Sequence, residues 1–217
     1  QFKDNLGTLL NSHLRLNRIL HIAWESLREP LFFKYNLLAA LTYAAVMALL
    51  TVASFLFEHE LGLSPAEFGA TMLGLSFVYM FGAFVNGKLL HYFTMAQLVR
   101  NGIVVMWLSC IFLLVDTLFF SLSYWGLVSF IALLWLGCSA LFANNSSIAF
   151  SVINKNIGVS SALFNTVQIL FAAIITAAIS AFSAYSTVPL SVFMLGICLG
   201  LTALFNWKIQ SKEGIKL

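Results

Sequence analysis

Six long apolar stretches, each closed off by a short polar segment, run along the chain at residues 35–57, 68–90, 101–120, 124–150, 159–184 and 188–207. Each is as long as the roughly 20 residues a helix needs to cross a hydrocarbon layer with its backbone groups bonded internally. The pattern predicts six transmembrane helices. Nearly all charge falls between the stretches, as in a polytopic helical bundle and unlike the alternating strands of a membrane β-barrel.

Local punctuation sharpens this division. The three prolines, Pro30, Pro65 and Pro189, stand at span entrances. In Ser64-Pro65-Ala66-Glu67, Ser64 is placed to cap the second helix, Pro65 fits its first position, and Glu67 sits where a capping box wants an acid. Ahead of the first span, Leu16, Ile19, Leu20, Ala23, Trp24 and Leu27 recur at helical spacing, with Arg15, Arg18, Glu25 and Glu29 on the remaining surface. Pro30 ends that pattern. Two readings stand for this stretch: an amphipathic interfacial helix anchored by Trp24, or a solvated linker turn. Residues 1–30 are therefore assigned to a cytoplasmic linker carrying the amphipathic segment, and residues 31–217 to a six-helix transmembrane domain.

Composition agrees and excludes alternatives. With 61% apolar and 9% charged residues and a mean hydropathy of +0.95, the chain is neither a soluble domain, where about a quarter of residues are charged, nor a disordered one. All eleven basic residues fall on one side of the predicted bundle. Lys3, Arg15, Arg18, Arg28 and Lys34 flank the start of the first span, Lys88 and Arg100 lie between spans two and three, Lys155 between four and five, and Lys208, Lys212 and Lys216 after the sixth. Glu58, Glu60, Glu67 and Asp116 mark the other side. The positive-inside rule then places both termini in the cytoplasm. The net charge of +3 reflects this topology, so no nucleic-acid partner is expected. Cys110, Cys138 and Cys198 are isolated in three spans without metal-ligand spacing and read as small apolar residues. The opening residues QFKDNLGTLL lack a signal-peptide pattern and a starting Met, which leads us to expect further chain before Gln1.

Polar residues inside the spans are the informative ones, because they are costly in hydrocarbon and normally face the bundle interior or a cavity. Span five carries Ser161, Asn165, Gln168, Ala172, Thr176 and Ser180 at steps of three and four. Span two carries Ser76, Tyr79, Ala83 and Asn86, span one Tyr43, Met47, Thr51 and Ser54, and span four the cluster Asn144, Asn145, Ser146 and Ser147. Spans three and six are plainer. The candidates for a substrate path are Tyr43, Ser76, Tyr79, Asn144, Asn145, Asn165 and Gln168. Packing competes with function at each: hydroxyl and small residues let membrane helices approach and hydrogen-bond, the Asn pair can bind backbone, and the tyrosines can be core aromatics. Gly196 and Gly200 form a GxxxG spacing that reads as close packing within one chain. Asp116, near the end of span three, reads as an interfacial residue with access to water.

Catalytic signals are absent. His13, His21, His59 and His91 lie outside or at the edges of the spans, so a Ser-His pair or a His-ligated metal has no components there. A phosphate loop of the GxxxxGK[ST] type is also lacking. Neither enzymatic activity nor a cofactor is expected.

Three segments carry a resemblance. SPAEFG at 64–69, GCSALFANN at 137–145 and GVSSALFNTVQ at 158–168 resemble the lead-in to the eighth helix, the small-and-Asn run of the tenth and the opening of the eleventh in major facilitator transporters. The chain is most similar to the C-terminal half of the bicyclomycin and chloramphenicol resistance type of drug:proton antiporter, from about Arg28 to Trp207. It departs from that pattern after the second span, where Asn86-Gly87-Lys88-Leu89-Leu90-His91-Tyr92-Phe93-Thr94 replaces an Arg-rich turn, and before the fifth, where Asn154-Lys155-Asn156 replaces an acid and Pro. The resemblance implies a bacterial inner-membrane protein of twelve helices. This chain would supply two inverted three-helix repeats and pair with an N-terminal six-helix half. It also implies multidrug efflux of small amphipathic substrates against protons, with the coupling carboxylates chiefly in the other half. The alternative is a self-contained six-helix permease module or an assembly subunit of a membrane complex.

Overall fold

The computed structural model describes residues 17–119, 123–153, 156–182 and 187–207, and every regular element among them is helical. Lys3, His13, Arg15, Leu16, Lys155, Tyr185, Lys208, Lys212 and Lys216 lie outside the described residues. A first helix, α1, covers 17–28. It is followed by α2 (Pro30–Ser54), which continues as a π-helical segment (Phe55–Glu60), then α3 (Pro65–Leu89), α4 (Met95–Phe119), α5 (Tyr124–Ser151), α6 (Ile157–Phe182) and α7 (Thr187–Asn206). Five of these, α2 to α6, are long and apolar enough to cross a membrane. The last, α7, spans 20 residues, about 30 Å at 1.5 Å per residue.

Helix starts follow local chemistry more closely than hydropathy. At α3 the capping box forms as the residues predict: Ser64 Oγ accepts the Glu67 N–H, and Glu67 Oε2 accepts the Ser64 N–H at 2.8 Å. A second box opens α4 six residues before the apolar stretch begins. There Thr94 Oγ1 accepts the Gln97 N–H at 3.3 Å and Gln97 Oε1 accepts the Thr94 N–H at 2.9 Å. Pro30 does not merely end the preceding pattern but opens α2, with Glu29 as its extended N-cap. Beyond the π-helical segment, Gly62 turns the chain with φ of 70°.

The helices form a bundle centred on α2 and α5. Packed against α2 are α5, α6 and α7; packed against α5 are α2, α3 and α4; and α4 also meets α7. Phe32, Leu38, Leu49, Phe57, Leu127, Phe130, Ile131 and Leu134, all on the central pair, are fully buried. Of α3 only Leu75, Gly82 and Asn86 are buried. One end of the bundle gathers the start of α2, the start of α6 and the end of α7. There Lys34 Nζ donates to the carbonyls of Phe205 and Trp207 at 2.7 and 3.0 Å, and Ser26 and Ser160 share a 2.8 Å hydrogen bond. Lys34 thereby closes the open carbonyls at the α7 terminus. At the other end the Tyr124 hydroxyl meets Thr71 at 3.0 Å and the rings of Phe57 and Tyr124 lie 6.1 Å apart. The described basic residues Arg18, Arg28, Lys34, Lys88 and Arg100 occupy the first end, and Glu58, Glu60 and Glu67 the second.

Close crossings depend on missing side chains. A Cβ on Gly102 would lie 3.1 Å from the Gly137 carbonyl, and one on Gly137 would lie 3.0 Å from the Gly102 carbonyl, so α4 and α5 touch backbone to backbone. Gly200 likewise admits Leu41 of α2, as close packing within the chain predicts, whereas Gly196 faces open space. The cysteines are not isolated. Cys110 and Cys198 stand with sulfurs 3.4 Å apart across α4 and α7, and all three thiols are buried and free. Their sequence separation hid that contact.

The described part of the segment before α2, residues 17–28, is helical. Ile19, Leu20 and Trp24 are nonetheless exposed, and the Arg28 guanidinium sits 5.1 Å over the Trp24 ring.

Candidate functional site

The pleat of three helices leaves a cavity of about 310 Å³ between α2, α3 and α5, lined by Tyr43, Val46, Ser76, Tyr79, Trp135 and Phe142. Each helix contributes a pair on one face: positions 43 and 46 on α2, 76 and 79 on α3, and 135 and 142 two turns apart on α5. Two edge-to-face ring pairs form the walls. Tyr43 and Phe142 have centroids 6.0 Å apart with planes at 85°, and Tyr79 and Trp135 have centroids 6.5 Å apart at 89°. Ser76 Oγ donates to the Met72 carbonyl at 2.9 Å, leaving its lone pairs as acceptors. Trp135 Nε1 is buried without a hydrogen-bond partner among the described residues. No charged side chain lines the cavity. Its chemistry is that of a large polarizable surface with a few hydroxyl groups, suited to ring-bearing amphipathic molecules.

Three sequence candidates, Tyr43, Ser76 and Tyr79, thus meet in one cavity, and the other four do not line it. Asn144 Nδ2 donates to Asn86 Oδ1 at 2.8 Å and to the Ala140 carbonyl at 2.7 Å, tying α5 to α3 toward the basic end. Asn145 is fully buried with both amide atoms unpartnered among the described residues, as is Asn36 Oδ1 on α2. Gln168 is buried on α6, but Asn165 is exposed. The packed face of α6 runs through Ser160, Phe164, Gln168, Ala172 and Ile179. It is rotated away from the polar stripe, which therefore straddles its edge.

Trp135 and Phe142 escaped the sequence reading because an aromatic residue in a membrane helix looks alike whether it meets lipid, core or cavity. Asp116 corrects another expectation. It is 9% exposed, with its carboxyl folded against the first turn of α5, where Gly126 has no side chain to exclude it: a Cβ there would come within 2.6 Å of Asp116 Oδ2. Open access to water is not its situation.

No family model matches the chain, and no curated protein matches it.

Proposed function

We propose that the chain is the C-terminal six-helix half of a secondary active transporter of the major facilitator type. It works by alternating access, exporting small amphipathic molecules in exchange for protons. The observation that carries this reading is the uncharged, aromatic-walled cavity at the contact of the two central helices, to which Tyr43, Ser76 and Tyr79 all contribute. Further support comes from the packing pattern. Exchanging α2, α3 and α4 with α5, α6 and α7 turns the α2–α6 contact into α5–α3 and the α4–α5 contact into α7–α2, while α2–α5 and α4–α7 map onto themselves. Two inverted three-helix repeats would produce that exchange. The basic end faces the cytoplasm in this reading, and the partner half covers α6 and the face of α3 that carries Ser76 and Tyr79. In this reading the protein transports rather than catalyses.

Flux of fluorescent aromatic amphiphiles into everted vesicles carrying the full natural polypeptide tests the reading. Accumulation should collapse with a protonophore. Tyr79→Ala, which removes one aromatic contact, should lower it about three- to tenfold at matched abundance. Flux indifferent to both the gradient and the substitution would refute it.

A further inference from the structure

On another side of α3 lies a second, larger recess. A slot of about 600 Å³ separates the outer halves of α3 and α5, walled by Gly74, Val78, Val128 and Ala132 and ending in Glu67, Thr71 and Tyr124. From Glu67 to Val78 the helix rises about 16 Å at 1.5 Å per residue, so the slot runs from a polar mouth toward the middle of the membrane.

The mouth has an unusual hydrogen-bonding balance. Thr71 Oγ1 donates to the Glu67 carbonyl at 2.8 Å, so the 3.0 Å contact with Tyr124 uses the tyrosine proton. Ser64 spends its hydroxyl proton on Glu67 Oε2. Every hydroxyl proton at the mouth is therefore committed. What remains are acceptors: the Tyr124 oxygen and Glu67 Oε1, which has no partner among the described residues. Glu58 and Glu60 add negative charge at the same end, and no Lys or Arg lies in the segment joining α2 to α3. Such a mouth favours a cationic head rich in N–H donors.

We propose that this slot binds a bilayer lipid with a primary-ammonium headgroup, phosphatidylethanolamine in kind, from the leaflet at the acidic end. Its ammonium meets Glu67 and one acyl chain lies along Gly74 and Val78. A choline head carries the same charge but no N–H, so it forfeits the hydrogen bonds. The apolar walls and the polar mouth fit the two ends of one amphiphile, and α3 is otherwise so thinly covered that the slot opens on the bundle flank.

Native mass spectrometry of the full chain, titrated with phosphatidylethanolamine, its N,N-dimethyl derivative and phosphatidylcholine, tests the proposal. Affinity should fall stepwise along that series, with about a fivefold preference for the first lipid over the last, the size of one partly exposed charge-assisted hydrogen bond. Glu67→Gln keeps a capping-box residue and removes the charge, and should reduce the preference to less than about twofold. At Gly74 a Cβ meets nothing within 4 Å, so Gly74→Phe fills the slot without disturbing the helix contact and should weaken both lipids alike. Equal affinity for the ethanolamine and choline lipids, a preference retained in Glu67→Gln, or binding untouched by Gly74→Phe would each overturn it.

Discussion

Replacing Gly137 with Ala puts a methyl group into the backbone-to-backbone crossing of α4 and α5. The added Cβ would lie 2.9 Å from Met106 Cγ, 3.0 Å from the Gly102 carbonyl oxygen and 3.3 Å from the Met106 nitrogen. Ordinary carbon contacts need about 3.5–4.0 Å. Two of the three atoms are backbone, so α4 and α5 must separate by roughly a few tenths of an ångström rather than a side chain stepping aside. Overpacking of this kind costs about 1–3 kcal/mol, and the helix preference of Ala over Gly offsets up to about 1 kcal/mol of it. We expect a net loss of about 1–2 kcal/mol. Gly74→Ala has the same helix preference and no neighbour within 4 Å, so it should be neutral or stabilising by up to about 1 kcal/mol. Gly102→Ala strains the same crossing from the other side, 3.1 Å from the Gly137 carbonyl. Once one methyl has parted the helices the second should cost less, so the double variant should lose less than the sum of the singles. Reversible unfolding of each variant in mixed micelles, followed by circular dichroism against the fraction of denaturing detergent, measures these differences. Gly137→Ala as stable as Gly74→Ala, or fully additive losses at 102 and 137, would refute the backbone-to-backbone crossing.

Three further outcomes follow from single contacts. A double-mutant cycle on Asn86 and Asn144, each changed to Ala, should return a coupling of about 0.6 kcal/mol, within the range of interhelical membrane hydrogen bonds; zero coupling would remove the α3–α5 bond. Ser64→Ala should lower stability by about 0.5–2 kcal/mol in the same unfolding assay, while Ser64→Asp, which caps as well, should stay close to the parent. Asp116→Asn should retain most export under an imposed pH gradient at equal membrane abundance, because the carboxyl is seated against α5 rather than in the cavity; loss of proton-coupled export would move the coupling site into this half.

What could be read from the sequence was what is local. The Ser64 to Glu67 capping box is an i to i+3 relation, and the spans are runs of neighbours, so both are legible in one dimension. The Thr94 to Gln97 box is equally local but lies ahead of the rise in hydropathy, and a reading guided by apolar runs starts α4 too late. Polar residues within spans led to Tyr43, Ser76 and Tyr79, half of the cavity lining, since a hydroxyl in hydrocarbon calls for an explanation. Trp135 and Phe142 carry no such signal. Asn165 and Gln168 share a stripe by angle, yet which part of a stripe is covered depends on the rotation of α6 against α2, a property of the assembled bundle. The same holds for Cys110 with Cys198 and Asp116 with Gly126, which meet only once α4 has found its neighbours.

Water access to the cavity decides whether it lies on a transport path. Single cysteines at Tyr43, Ser76 and Tyr79, with Val192 and Leu199 on the exposed face of α7 as lipid-facing controls, can be probed in membranes with a water-soluble thiol reagent applied from each side. The native thiols are buried and leave a low background. A path through this cavity predicts labelling at 43, 76 and 79, with the reactive side changing when a pH gradient is imposed, and no labelling at 192 or 199. Protection at 43, 76 and 79 equal to that of the controls, from both sides and under both conditions, would contradict it.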